Sequence, residues 1–164
     1  TGLLSLMPKL KKEYLLHCYG GGKFSASETL LVKNLGLENS VIWYDPNTSS
    51  LGSLYKSAKC LIIPSKREGF GLTVLEAYSQ GCPVVTFGDS ALREVGGDLI
   101  LDLSKTDSEM VCLAIRKHSK NVDTDKLKIR AKQFSGVWQT LGVLSAIKYC
   151  NKISMVSPNT CKTF

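Results

Sequence analysis

Two carboxylates on either side of a glycine turn mark the segment of this sequence where chemistry is most readily expected. The segment "REGFGLTVLEA" carries Glu68 before a Gly-Phe-Gly turn and Glu76 after it. Glycines at the start of a helix allow a ligand to approach the backbone closely, and the first-turn N–H groups and the helix dipole favour an anion. The turn therefore predicts a phosphate site that has a negative charge on each side.

The groups expected to hold the anion belong to the backbone. The positions that provide these donors or the close approach to them are Gly69, Phe70, Gly71, Leu72 and Thr73. The segment is not a dinucleotide fingerprint, because G-x-G-x-x-G would need a glycine where Val74 stands. It is not a Walker loop either, since no Gly-Lys-Ser/Thr follows.

The two glutamates suggest what surrounds the phosphates. An ionised carboxylate repels phosphate but accepts hydrogen bonds from hydroxyls. Glu76 lies about one helical turn inside the helix, so it and Glu68 should reach opposite ends of a ligand across the helix mouth. A sugar–diphosphate–ribose has this form. Taken singly, each residue has a plainer interpretation: Glu76 as a solvent-facing helix residue, Glu68 as a loop charge and Phe70 as a core anchor.

Short apolar runs alternate with helical patterns and would position these residues. The predicted strands are "EYLLHCY", "VIWY", "CLIIP", "PVVTF" and "LILD". The predicted helices span about 25–35, 51–58, 72–80, 107–119 and 125–149, the first opened by a Ser25–Glu28 capping box. Such strands separated by helices predict an α/β fold with a doubly wound parallel sheet. We expect one domain over residues 1–150 and a C-terminal tail over residues 151–164.

In a sheet of this kind, ligands bind beyond the carboxyl ends of the strands. Two loops leave such ends: the glycine run that begins with Gly20 and Gly21, and the loop from Ser65 to Gly71. We therefore expect Gly20 and Gly21 to contribute to the same site. The alternative is that the glycine run is only a tight strand-to-helix turn.

Composition limits the other classes of function. The 164 residues have a formal net charge of +7, but the lysines are scattered and do not alternate with aromatic residues, which favours a solvated basic surface over nucleic-acid binding. None of the six cysteines pairs at C-x-x-C spacing, and the two histidines lie far apart, so buried thiols are expected and a metal site is not. No run is long enough to span a membrane, and no signal-peptide pattern begins the chain.

The segment "PSKREGFGLTVLEAYSQGCPVV" resembles the E-x7-E signature of retaining glycosyltransferases of the family-four type, which have the GT-B fold of two Rossmann-like domains facing a cleft. The similarity extends upstream to "YLLHCYGGG" and downstream to "LREVGGD" and "AKQFSGVW", and covers roughly residues 14–138. The resemblance implies a Rossmann-like C-terminal half that binds a nucleotide-sugar donor, in an enzyme that transfers the sugar to a glycan or lipid-linked hydroxyl.

The resemblance also implies roles for the motif residues. Glu68 would bind donor-sugar hydroxyls near the reacting centre, and Glu76 would hold the ribose hydroxyls. The backbone from Gly69 to Thr73 would cradle the diphosphate or the transferred sugar, and the strand end at Trp43 and Tyr44 would lie close to the base. The donor would be a UDP- or GDP-sugar, with retention of configuration and with neither a cofactor nor a metal.

Two features of the family are missing from this sequence. An Arg and a Lys that usually grip the diphosphate near the start of the domain are absent, and so is the N-terminal domain that binds the acceptor. We therefore expect the chain alone to bind its donor weakly and to transfer little. A cytoplasmic location is expected, and the charge of +7 fits a peripheral contact with an anionic membrane face.

Three other functions compete with this interpretation. The first is a noncatalytic nucleotide-sugar-binding module or regulatory subunit. The second is a sugar-nucleotide epimerase of the same two-domain fold, which the E-x7-E spacing disfavours. The third is a basic nucleic-acid-binding domain, which would require affinity for RNA or DNA.

Overall fold

The computed structural model describes residues 3–20, 22–47, 50–65, 70–88, 90–106, 108–134, 136 and 152–156. The strands are β1 (Leu15–Tyr19), β2 (Val41–Tyr44), β3 (Ala58–Ile63), β4 (Val84–Thr86), β5 (Leu101–Asp102) and β6 (Lys152–Val156). The α-helices are α1 (Met7–Leu10), α2 (Ala26–Asn34), α3 (Leu51–Ser57), α4 (Leu72–Ser79), α5 (Ser90–Gly96), α6 (Ser108–Asn121) and α7 (Thr124–Lys132). Short 3-10 turns span Leu4–Leu6 and Gly97–Leu99.

Within the described residues, the six strands form one sheet in the order β2-β1-β6-β3-β4-β5. β1 pairs in parallel with β2, β3 with β4, and β4 with β5. β6 is antiparallel to both β1 and β3, so β1 and β3 themselves point in the same direction. The carboxyl ends of the first five strands therefore lie at one edge of the sheet.

Helices cover both faces of the sheet, and β3 illustrates why the fold requires this. Along β3, Cys60 and Ile62 belong to one buried cluster, while Leu61 and Ile63 belong to the other. Alternate residues of a strand face opposite sides of the sheet. Four successive apolar residues therefore need helices on both faces of the sheet to bury them. The first cluster includes side chains of α1, α2 and α6, and the second includes side chains of α3, α4, α5 and α7.

The predicted α/β class is confirmed, and the five expected strands and the first four expected helices all form. The capping box is also present: the Ser25 hydroxyl accepts from the Glu28 backbone N–H, and the Glu28 carboxylate accepts from the Ser25 N–H. α5 was not among the predicted helices. The last expected helix is described only over Thr124–Lys132.

The expectation of a tail over residues 151–164 needs a correction at Lys152–Val156, which form β6 in the middle of the sheet. Within it, polar and apolar residues alternate only from Lys152 to Met155, a pattern too short to distinguish a strand from a tail. Its pairing partners, β1 and β3, lie far away in the sequence, so local signals could not predict the pairing. The expected domain boundary at residue 150 lies outside the described residues and remains a prediction.

The described cysteines agree with the expectation of thiols. Cys60, Cys82 and Cys112 are buried, Cys18 is partly buried, and all four are free. Burial raises the pKa of the Cys60 thiol to about 12, so this group stays protonated at neutral pH. Cys150 and Cys161 lie outside the described residues. Among the helices that are described, none is both long and apolar enough to cross a bilayer.

Two imidazoles, one buried and one partly buried, predict how stability depends on pH. Burial lowers the pKa of His17 on β1 and of His118 on α6 below the ordinary value of 6.5. The unfolded chain therefore takes up these protons first as pH falls. We expect the free energy of unfolding to be level near pH 7.5 and to decrease below pH 6.5, by at most about 1.4 kcal/mol per pH unit for each histidine.

Urea denaturation at pH 7.5, 6.5 and 5.5 measures this dependence. Carboxylates contribute little in this window, since their ordinary pKa values lie near 4. His118→Gln should reduce the slope. A free energy of unfolding that stays level or rises between pH 6.5 and 5.5 would contradict the prediction.

Candidate functional site

The carboxyl edge of the sheet brings the two predicted loops toward each other. β1 leads into Gly20, and β3 leads through Pro64 and Ser65 toward the turn before α4. β1 and β3 flank the point where the order of the parallel strands reverses, with only β6 between them. Ligands of doubly wound sheets bind at this kind of position. The topology therefore places Gly20 and Ser65, where the two loops begin, at the same edge of the sheet.

Gly71 forms the N-cap of α4 in a left-handed conformation, with φ of 75° and ψ of 24°. A side chain is disfavoured here by the positive φ and because an added Cβ would lie 3.3 Å from Val95 Cγ2 and 3.4 Å from Leu92 Cδ2, so that Val95 would have to shift slightly. Gly71 has no side chain to accept a hydrogen bond from the first turn of α4, and that turn contains no acidic residue. The helix therefore presents an N-terminus of positive potential, as the sequence predicted.

The predicted neighbours of Gly71 differ in their exposure. The Phe70 side chain is 46% exposed, so the structure does not make it a core anchor. Thr73 is buried, and Leu72 is half-buried against the cluster formed with α5 and α7. Phe70 is therefore the side chain of this turn that is most available to a ligand, while Leu72 and Thr73 can contribute chiefly through their backbone.

α5 fixes the turn at Gly71 and is itself held by α7. The Arg130 guanidinium on α7 donates from Nε to the Val95 carbonyl oxygen at 3.0 Å and from Nη2 to the Glu94 carbonyl oxygen at 2.9 Å. The same guanidinium lies 5.0 Å from the centre of the Phe134 ring. Arg130 therefore satisfies carbonyls at the end of α5 and holds Val95, the residue that a Cβ at Gly71 would approach most closely.

Glu76 is half-buried on α4, and it has a partner that the sequence did not predict. The Tyr55 hydroxyl on α3 donates to Glu76 Oε2 at 3.2 Å. The Tyr55 ring is only 3% exposed and belongs to the cluster between the sheet and α4. The plainer interpretation of Glu76 as a solvent-facing helix residue does not hold, because its side chain is half-buried and hydrogen-bonded. Tyr55 lies within the predicted helix over 51–58, where no local signal in the sequence indicates a role for its hydroxyl.

Glu76 also lies close to the end of β1. Burial raises the pKa of the Tyr19 phenol, and the negative charges of Asp45 and Glu76 raise it further. The Tyr19 hydroxyl donates to the Pro46 carbonyl oxygen at 3.4 Å. These interactions bring a carboxylate of α4, the last residue of β1 and the loop after β2 into one polar region.

The first glycine loop is tied to β2. Gly20 and Gly22 have φ values of 83° and 81°, which side chains rarely adopt. The Trp43 indole Nε1 donates to the Gly20 carbonyl oxygen at 3.2 Å. Trp43 had been expected near a base, and the structure gives it this definite bond at the glycine loop. Gly20 and Gly22 therefore have definite turn conformations at the carboxyl edge of the sheet, where the sequence predicted a ligand loop.

Three predicted site residues, Gly21, Glu68 and Gly69, lie outside the described residues, and their roles remain predictions. A depression of about 300 Å³, lined by Arg93, Glu94, Gly97 and Asp98, contains none of the predicted site residues. The described residues contain no group of three His, Cys, Asp or Glu side chains able to hold a metal ion.

Comparison with known proteins yields a family model and several relatives. The model described as "Glycosyl transferases group 1" matches residues 1–124. The O-antigen chain mannosyltransferase B of Escherichia coli is 37% identical over 100 residues, which are 58% of this chain and 26% of that protein. The D-inositol 3-phosphate glycosyltransferase of Corynebacterium diphtheriae is 37% identical over 71 residues, 40% of this chain and 17% of that protein. The chain thus spans about a quarter or less of the length of these relatives.

A solved structure supports the fold. The pneumococcal O-GlcNAc transferase GtfA, crystallised with UDP and GlcNAc, superposes with a TM-score of 0.59 over 86% of this chain and 30% of that one. The sequence identity is 16%, so this similarity concerns the fold, which is that of one Rossmann-like half of a GT-B protein.

The conformation of Gly71 leads to a stability prediction. Gly71→Ala should lower the free energy of unfolding by about 1–3 kcal/mol, because alanine disfavours the left-handed region and its Cβ would press on Val95. Gly52→Ala is the matched control. Gly52 lies in α3, where an added Cβ would meet only Ser50 Oγ at 3.9 Å, so this change should be neutral or stabilising. Urea denaturation of both variants measures the difference, and equal effects would contradict the role of Gly71.

Proposed function

The chain belongs to the family of group 1 glycosyl transferases, and on that premise we propose that it is the donor-binding part of an enzyme that transfers a sugar from a nucleoside-diphosphate sugar to a hydroxyl acceptor. One observation carries the proposal: Gly71 at the mouth of α4 and Glu76 one turn inside share the carboxyl edge of the sheet with the Gly20 turn. This arrangement offers a positive helix end for the phosphates and an acceptor for hydroxyls.

Each part of the donor has a proposed contact. The α4 N-terminus binds the diphosphate through its backbone N–H groups, aided by the helix dipole. Glu76 accepts hydrogen bonds from the ribose hydroxyls, because an ionised carboxylate can only accept. Glu68 binds the hydroxyls of the transferred sugar, and the exposed Phe70 ring lines the approach. The solved relative that contains UDP and GlcNAc supports a donor of this class.

The proposed chemistry needs stabilisation of the leaving diphosphate more than it needs a strong base. Charge that develops on the phosphates is met by N–H dipoles that the fold already orients, so little reorganisation is required during transfer. We propose that the configuration at the sugar carbon is retained, as the E-x7-E resemblance implies. No metal ion or cofactor is part of the proposal, since the helix N-terminus supplies the positive potential.

The location of the protein is also a proposal. The charge of +7 supports peripheral contact with an anionic membrane on the cytoplasmic side, where a lipid-linked acceptor would be within reach. The mannosyltransferase and D-inositol 3-phosphate glycosyltransferase relatives act on different acceptors according to their names, so acceptor chemistry is not assigned.

Donor binding is tested by thermal shift with UDP-, GDP- and ADP-sugars. A ligand at 100 times its Kd adds about 2.7 kcal/mol to folded-state stability, which corresponds to roughly 5–10 °C for a chain of this size. Glu76→Ala should reduce the shift several-fold. The exposed Glu38, which precedes β2 at the opposite edge, provides the control Glu38→Ala, and its shift should match that of the unaltered chain. Absence of any shift with all three donor classes would overturn the assignment.

Transfer is expected to need more than these residues. We predict that the isolated 164-residue chain binds donor but transfers little sugar, since it spans only 26% of the E. coli relative and GT-B enzymes enclose the donor between two domains. A radiolabelled donor incubated with lipid and glycan acceptors measures transfer. Sustained turnover by the isolated chain would contradict this prediction.

A further inference from the structure

The contact between Tyr55 and Glu76 joins a core side chain to the proposed ligand site. The Tyr55 ring is packed among buried side chains that include Leu61 and Leu75, so the ring has a fixed position. Its hydroxyl donates to Glu76 Oε2 at 3.2 Å. Packing alone would be served equally well by phenylalanine, so the hydroxyl makes a separate contribution, directed at the carboxylate.

The Glu76 side chain has several rotatable bonds and is only half-buried, so its carboxylate could adopt different orientations. A hydrogen bond from a rigid ring restricts these orientations and holds one carboxylate oxygen. A distance of 3.2 Å is longer than is usual for a hydroxyl donating to a carboxylate, and such bonds often shorten when a ligand completes a site. Because the bond is already formed in the folded protein, part of the entropy of ordering Glu76 is lost on folding and not on binding.

We propose that Tyr55 is a positioning residue that aims the Glu76 carboxylate at the ribose hydroxyls of the donor nucleotide. The inference rests on the proposed function, and in particular on the role given there to Glu76. It adds a residue of α3, outside the glycine turn, to the machinery that recognises the ribose. Tyr55 acts through Glu76 and does not itself contact the ligand.

The experiment compares ribonucleotides with their deoxy analogues. Calorimetry measures the affinity of the chain for UDP and GDP and for the 2′-deoxy and 3′-deoxy forms of each. In the unaltered chain, removal of the ribose hydroxyl that donates to Glu76 should weaken binding about tenfold. The deoxy penalty is the factor by which removal of that hydroxyl weakens binding. In Tyr55→Phe, ribonucleotide affinity should fall about three- to tenfold while deoxynucleotide affinity changes little. The deoxy penalty should therefore shrink to about twofold.

Tyr14→Phe is the matched control. Tyr14 is also buried, and its hydroxyl shares a hydrogen bond of 3.3 Å with Ser119 Oγ, but it precedes β1 at the opposite edge of the sheet and belongs to the other core cluster. This variant should keep the full deoxy penalty. In a Glu76→Gln background, Tyr55→Phe should have little further effect on the penalty, because two residues that act through one group are not additive. Melting temperatures of all variants establish that each is folded.

The possible results distinguish failure of the Tyr55 inference from failure of the proposed donor binding. A Tyr55→Phe variant that weakens ribo- and deoxynucleotides equally would reduce Tyr55 to a structural residue and overturn the inference. Nucleotide binding by the unaltered chain without any deoxy penalty would overturn both the inference and the role of Glu76, yet leave donor binding in place. No binding of any nucleotide by the unaltered chain would overturn the proposed function and the inference together.

Discussion

β3 is apolar on both of its faces, and its burial determines where the other elements can lie. Cys60 and Ile62 need a cover on one side of the sheet, while Leu61 and Ile63 need one on the other. Helices supply both covers, and the chain can then leave β3 only at the carboxyl edge. The next helix, α4, must begin at that edge and return along the sheet. The position of the glycine turn therefore follows from the requirement to bury both faces of β3.

The mouth of α4 depends on contacts that come from far along the sequence. Gly71 takes a left-handed conformation against Leu92 and Val95, and Arg130 on α7 holds the carbonyl of Val95. The helix that presents the proposed anion site is thus supported by α5 on one side and, through α5, by α7. The glycine turn after β1 is supported in a comparable way, because the Trp43 indole on β2 donates to the carbonyl oxygen of Gly20. Both glycine turns are positioned by neighbouring elements, which leaves their backbone groups oriented before a ligand arrives.

The middle of the sheet differs from the usual doubly wound arrangement. In the order 3-2-1-4-5-6, the two strands that flank the point of reversal are direct neighbours and run in parallel. In this chain the corresponding position, between β1 and β3, is occupied by the antiparallel β6. The pairing places Lys152, the first residue of β6, opposite Tyr19, the last residue of β1. The amino end of β6 therefore lies at the ligand edge, where a parallel strand would have placed its carboxyl end.

Apolar periodicity, the Ser25–Glu28 box and the glycine positions are local signals. They predict the class of fold, the first five strands along the chain and the location of the glycine turns. The same local signals point to Gly71 at the start of α4 and to Glu76 as site residues, and these roles remain predictions. Packing between distant elements establishes that β6 pairs within the sheet, that Arg130 supports the turn and that Tyr55 donates to Glu76. Each of these contacts joins residues at least 21 positions apart. Their partners are selected by packing between elements, and no short stretch of sequence contains both sides of such a contact.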